Sequence, residues 1–307
     1  MRLLQKVRLA LCESESNPES IAQRFAQCVQ QVLAEQQITQ EKLLGIGIGV
    51  PGVVKQAEEE TVSAPAWNWR PVPLKALLQK ELSSQLYVDN GCKTMALAEM
   101  HLEPGLRHET LAALNIGTGV GAGIVYEEKL YRGGSNSAGE WGHTPMVLGG
   151  DLCRCGSYGC LEAYIGAPGI IRRLSTLSPT SAALRHGTEE CIIGAIIQAA
   201  IQGDPAAHEI MQATSHYLGA GIANLINLFN PQRIILGGKI GLLLGQAYLP
   251  EIVQQARRYA LKEPFEATSI TVSSLGEDAA SLGAARLALE GFMVQVGGGA
   301  NFARLHM

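Results

Sequence analysis

Gly139-Glu140-Trp141-Gly142-His143, nine residues, then Cys153-Arg154-Cys155-Gly156-Ser157-Tyr158-Gly159-Cys160-Leu161-Glu162: this stretch decides how the rest of the chain is read. It gathers one imidazole and three thiols within eighteen residues. Three thiolates and an imidazole complete a tetrahedral zinc shell and leave no position open for water. A closed shell is structural, so zinc is expected to fold a loop here rather than to do chemistry. Glu140 and Glu162, at either end of that loop, would then be held firmly enough to grip a ligand.

The competing readings of these cysteines are reduced thiols without a metal, or a disulfide. The chain has seven cysteines, and four of them (Cys12, Cys28, Cys92 and Cys191) are scattered. An odd count and a length of 307 residues, which needs no covalent staple, weigh against a disulfide framework. Zinc on His143, Cys153, Cys155 and Cys160 is the favoured reading.

Composition narrows the class. Apolar residues make up 47% and charged ones 17%, as in a globular protein with a large core, and the length suits two domains. Net charge is −4 and no basic stripe stands out, which argues against this chain alone gripping nucleic acid. No apolar run approaches the roughly 20 residues of a membrane span. The first residues lack a signal peptide's apolar core and cleavage site, so a reducing cytoplasm is expected.

Helical and strand patterns alternate along the chain, predicting an α/β architecture. Asn17-Pro18-Glu19 starts a helix over 18–36, with Asn as cap and Pro in the first turn. Leu44 to Val50 predicts a strand, 74–82 a short helix, 86–88 a strand and 93–102 a helix. Leu111 to Ile116 and Gly121 to Tyr126 predict a hairpin around Gly117-Thr118-Gly119. Further on, a long helix over 205–230, a strand over 233–236, a helix over 244–262, a strand over 268–273 and a helix over 278–289 are expected. Gly117, Thr118 and Gly119, and separately Gly237 and Gly238, are glycine turns that can present backbone N–H groups to phosphate. Glycine turns at strand ends more often serve geometry alone. Lys239, which follows the second turn, and Lys93, three residues after Asn90, are read by default as solvated surface.

The motifs closely resemble the signature of the ROK family (repressors, open reading frames and sugar kinases). Besides the zinc stretch, the resemblance rests on Gly45–Gly52, Asn115–Gly123, Asn227–Pro231 leading to Ile234–Gly238, and Leu275–Ala279. It implies an actin-like, ribonuclease-H-like duplicated fold of two α/β domains around a sugar cleft. By that resemblance residues 1–110 form the first domain, 111–292 the second with its zinc loop at 139–162, and 293–307 a loose tail. Asn90, Glu140, His143 and Glu162 resemble the sugar ligands, His143 offering one ring nitrogen to zinc and the other to a hydroxyl. The two glycine turns resemble vestiges of the nucleotide site. A dimer or tetramer is implied, as is a sugar or sugar phosphate ligand.

Two departures bear on activity. Family kinases carry Glu-Asn-Asp-Ala-Asn eight residues before a helix Glu, the Asp being the general base. Counting back from Glu99 puts Gly91 at that place. Asp89 is the substitute only if the register slides by two. An Asp-x-Gly-Gly-Thr phosphate turn is also missing ahead of Gly45, so the chain is expected to enter the fold late. Loss of a general base alone typically lowers rate 10²–10⁴-fold. The resemblance therefore points to the sugar-sensing, non-catalytic domain of a ROK-type regulator. Such a regulator reaches DNA through a winged helix-turn-helix that residues 1–40 do not provide. An ATP-dependent sugar kinase using Mg-ATP is the alternative.

Overall fold

The computed structural model describes residues 3–9, 17–55, 60–102, 105–106 and 109–297. Helix α1 (Pro18–Glu35) begins as the sequence predicts. Asn17 Oδ1 accepts from the backbone N–H groups of Glu19 and Ser20 at 2.9 and 3.1 Å, meeting donors that have no partner inside the helix. The chain continues through β1 (Ile46–Val50), β2 (Val53–Lys55), β3 (Thr61–Ala64), β4 (Trp69–Val72), α2 (Leu74–Gln79), β5 (Leu86–Asn90) and α3 (Gly91–Leu102). Strand β5 pairs parallel to β1, and β2, β3 and β4 form an antiparallel sheet of their own.

The second half opens with the hairpin β6 (Leu111–Ile116) and β7 (Val120–Tyr126), followed by β8 (Lys129–Leu130). Helices α4 (Glu162–Ile165), α5 (Ala167–Leu177), α6 (Glu189–Ile201) and α7 (Pro205–Phe229) come next. Then β9 (Arg233–Gly237), α8 (Lys239–Tyr259), α9 (Lys262–Glu266), β10 (Ser269–Val272) and α10 (Ala279–Val296) complete the chain. One mixed sheet runs in the order β10-β9-β6-β7-β8. β9 lies parallel to both β6 and β10, as the intervening helices require. Its central strand β6 reads Leu-Ala-Ala-Leu-Asn-Ile, with five of the six residues buried, the pattern of a strand covered on both faces.

Three apolar clusters follow from this layout. One fills the second lobe under α5, α6, α7 and α8, and one fills the first lobe under α1 and α2. The third joins Met95, Leu97 and Met100 of α3 to Leu111, Val125 and Ile235 of the large sheet. Helix α10 closes over α3 and β1 at backbone distance. A Cβ on Gly47 would lie 1.6 Å from the Ala284 carbonyl oxygen, and one on Gly283 would lie 1.6 Å from that of Thr94. Only glycine allows such an approach.

The elements differ from expectation in several places, among them α5 and α6, for which no helix is expected from the sequence. Helix α8 begins at Lys239 rather than at 244, because Gly238 takes φ 73° and turns β9 directly into it. The same helix kinks at Tyr248, just before Pro250. The sheet β2-β3-β4 is unannounced in the sequence, its strands being three or four residues long and one carrying Pro71. Residues 293–296, expected to be loose, continue α10, and residues 298–307 lie outside the described residues.

Candidate functional site

The zinc stretch is pressed against β7 by its glycines. Gly139 has φ 98°, and a Cβ there would lie 1.9 Å from the Ala122 carbonyl oxygen; at Gly142 it would lie 2.2 Å from that of Val120. Trp141, between them, is buried and donates its indole N–H to the Gly221 carbonyl on α7 at 3.0 Å. A single 3₁₀ turn, Trp141–His143, then delivers His143. On the other side, Leu161 N–H donates to Thr144 O at 3.0 Å and Met146 N–H to Gly159 O at 2.7 Å.

The ligand atoms of His143, Cys153, Cys155 and Cys160 all lie within 4.8 Å of one another. His143 Nδ1 is 3.7 Å from Cys153 Sγ, and Cys155 Sγ is 3.7 Å from Cys160 Sγ. A tetrahedron with Zn–S bonds of about 2.3 Å has edges of about 3.8 Å. The donor set and its spacing therefore fit zinc. Burial raises the Cys153 and Cys160 thiols above the ordinary range, so without a cation these protons stay on. Bound zinc would supply the charge that removes them and would cross-link the two ends of the loop. Cys92 is not part of this set. It is buried against Gly121, and burial pushes its thiol up to about 12.

Three of the sugar-type residues, Glu140, His143 and Glu162, lie at this frame. His143 Nε2, on the ring edge away from the thiols, lies 3.9 Å from Glu140 Oε2. Burial raises the Glu140 carboxyl above its ordinary value, although His143 and Lys93 pull it back. Glu162 opens α4 and is tied on both oxygens. Val120 N–H donates to Oε2 at 2.9 Å, Cys153 Sγ lies 3.5 Å from Oε1, and Arg154 forms an ion pair at 3.5 Å. Asn90 stands at the end of β5. Its Oδ1 accepts from Cys92 N–H at 2.7 Å, capping α3, and its Nδ2 donates to Gly52 O at 2.6 Å. Both ends of that amide are thus engaged within the first lobe.

Gly91 follows directly. A Cβ built there would meet Val50 O at 3.6 Å, so the place of the expected base is roomy but carries no proton acceptor of its own. Asp89, the substitute, is 1% exposed. Its oxygens accept from Asn90 N–H at 2.8 Å and from Arg132 Nη1 at 2.6 Å, which leaves it poorly placed to meet a sugar hydroxyl.

The two glycine turns lie side by side. A Cβ on Gly238 would fall 2.6 Å from Ile116 O, one residue before Gly117. Thr118 Oγ1 donates to Glu189, the Thr118 carbonyl accepts from Arg154, and Lys239 Nζ donates to Glu190 at 2.8 Å. Glu189 and Glu190 open α6. The phosphate-type turn therefore faces carboxylates of the chain itself: Glu190 is paired with Lys239, and Glu189, on the Thr118 hydroxyl, opposes a polyphosphate. The motifs did not single out Glu189 and Glu190, because helix α6 had not been foreseen, nor Arg154, which sits between two zinc-type cysteines. It also misplaced Lys93, which is 3% exposed rather than solvated. Its signal was the i, i+4 spacing from Asp89 across the α3 cap.

Two α/β lobes, a closed Cys₃His knot and a carboxylate–histidine cluster beside it define an α/β protein of the sugar-kinase structural type. The sequence matches the ROK family over residues 3–291, and the chain belongs to that family. It is 32% identical over 249 residues to the xylose repressor of Caldicellulosiruptor bescii, covering 80% of this chain and 62% of that protein. Among solved structures it resembles the ROK glucokinase of Streptomyces griseus in complex with glucose and AMPPNP, at 31% identity, TM-score 0.74 and 88% of each chain. It also resembles a ROK family transcriptional regulator, a homolog of the E. coli MLC protein, at 27% identity and TM-score 0.73 over 89% of this chain and 69% of that one. The chain spans 62% of the length of the xylose repressors it matches.

Proposed function

We propose that this chain is a sugar-binding effector domain of a ROK-type transcriptional regulator and transfers no phosphate. The observation that carries this reading is Gly91. A position that needs a proton acceptor beside the sugar has none, and the nearby Asp89 is committed to Arg132. The carboxylate of Glu189 at the phosphate-type turn points the same way. Glu140, His143 and Glu162 would bind sugar hydroxyls, with Asn90 at the rim, and zinc on His143, Cys153, Cys155 and Cys160 would hold the first three in place. The ligand is a sugar or sugar phosphate. The protein works as a dimer or tetramer in the cytoplasm and meets DNA through a segment outside this chain. Among the described residues no helix is long and apolar enough to cross a membrane.

The kinase reading is supported by the match to the S. griseus glucokinase over 88% of both chains. A thermal-shift screen of the zinc-loaded protein separates the two. Xylose, glucose, N-acetylglucosamine, N-acetylmannosamine, fructose and their phosphates are tested with and without Mg-ATP, with ADP release followed in parallel. A ligand at 100 times its dissociation constant adds about 2.7 kcal/mol. Stabilisation by one sugar with no response to Mg-ATP is expected. Sugar-dependent ADP release would overturn the reading.

A further inference from the structure

Lys93 is a charged group in an unusual place. It is 3% exposed, and an ammonium is rarely taken out of water without full compensation. Its Nζ donates to both Asn136 O, at 2.5 Å, and Asn136 Oδ1, at 3.0 Å, and lies 3.9 Å from Asp89 Oδ1. Asn136 in turn donates its Nδ2 to Val54 O on β2 at 2.8 Å. Arg132 Nη1 binds both Asp89 Oδ2, at 2.6 Å, and Asn136 Oδ1, at 2.9 Å. Asn136 holds a left-handed backbone, φ 58°, a conformation that asparagine tolerates better than most residues.

This knot ties together two segments of the chain, one leading to Asn90 and one leading to Glu140. Asp89, Lys93 and Val54 belong to β5, α3 and β2. Arg132 and Asn136 belong to the loop that leaves β8 and runs into Gly139 and Glu140. Asp89 is the neighbour of Asn90, and Asn136 lies four residues before Glu140. Burial pulls the Lys93 ammonium below its ordinary range while Asp89 and Glu140 hold it up and Arg132 opposes them.

We propose that Lys93 is a positioning residue for the sugar site: it fastens the loop bearing Glu140 to the strand and helix bearing Asn90, and so fixes the spacing of the two walls that a sugar must bridge. This rests on the sugar-effector reading. A side chain that merely stabilised the fold would lower melting temperature and leave affinity unchanged; a positioning residue changes affinity, and does so through Glu140.

The test uses the full zinc-loaded chain. Lys93→Met keeps the length of the side chain and removes the charge. Asn136→Gly keeps the left-handed backbone and the carbonyl acceptor but removes the link to Val54, and it serves if Lys93→Met fails to fold. Leu78→Ala, which empties part of the first-lobe core without removing a polar member of the knot, is the control for destabilisation alone. Affinity for the sugar found in the screen is measured by calorimetry in each variant and in the double variant with Glu140→Gln. The expected result is at least a tenfold loss in Lys93→Met or Asn136→Gly, little loss in Leu78→Ala, and no further loss when the knot variant is added to Glu140→Gln. Wild-type affinity in the knot variants, or losses that multiply in the double variant, would overturn the proposal. Hydrogen exchange over residues 131–140 without sugar is the independent arm. If no sugar binds the wild type, the effector reading fails, and the knot is judged by exchange alone. Faster exchange there in Lys93→Met upholds it, and unchanged exchange removes it.

Discussion

Replacing Cys155 by serine isolates the contribution of the metal, because Cys155 is the exposed member of the set while Cys153 and Cys160 are buried. A serine there disturbs no packing, so any loss of stability is the loss of a ligand. Zinc on these four residues closes a loop of 18 residues, from His143 to Cys160. A cross-link over about 15 residues removes roughly 3 kcal/mol of unfolded-state entropy. At about 2–4 °C per kcal/mol, the scale for chains of 150–250 residues, this is a fall of roughly 6–12 °C in melting temperature. The assay is metal content by plasma mass spectrometry beside calorimetric melting. Cys191→Ser, also exposed but outside the cluster, is the control. The expected outcome is one zinc per chain in the wild type and in Cys191→Ser, with zinc and stability both reduced in Cys155→Ser. A Cys155→Ser protein that keeps stoichiometric zinc and its melting temperature would refute the assignment. A wild type that melts at the same temperature before and after chelation would refute the structural role.

Three further outcomes are expected. Glu140→Gln should weaken sugar binding at least tenfold while changing melting temperature little, since this half-exposed carboxylate is set beside His143; equal affinity in calorimetry would remove Glu140 from the site. Gly47→Ala places a methyl on the Ala284 carbonyl of α10 and should destabilise by at least the about 1–3 kcal/mol of ordinary overpacking; a wild-type urea midpoint would show that α10 yields easily. Burial alone would raise the Glu290 carboxyl, but hydrogen bonds from His101 and Arg286 hold it below its ordinary 4.5. A depressed carboxylate stabilises above its unfolded pKa and loses that contribution as pH falls through the folded one. Glu290→Gln should therefore melt below wild type at pH 7, with the gap closing below about pH 4.5; a gap constant down to pH 3 would deny Glu290 this role.

Local chemistry was legible in the sequence wherever one residue type admits one structure. Asn17-Pro18 and Asp204-Pro205 cap helices just where Asn and Asp accept from the first free N–H groups. Cys153-x-Cys155 and Cys160 converge with His143 as their spacing demands. What failed to show was long-range. Glu189 meets Thr118 across 71 positions and Asn136 meets Val54 across 82, and no periodicity records such meetings. Lys93 was read as surface because its helix, with eight other residues also buried, has no polar face to betray which side is wet. The strands of the small sheet were too short for an alternating pattern to register.

The backbone contacts of Gly47 and Gly283 set a timetable for synthesis. The strand β1 leaves the ribosome well before α10, the helix that covers it. Lobes usually fold in order of emergence, but here the earlier one has to wait, its two-stranded sheet uncovered, while the later one can assemble around β6 and β7. A nascent chain arrested before Ala279 should thus carry a protease-resistant second half and a cleavable first. Any chaperone that attends this protein would find its work at β1, and would be released only once α10 had emerged.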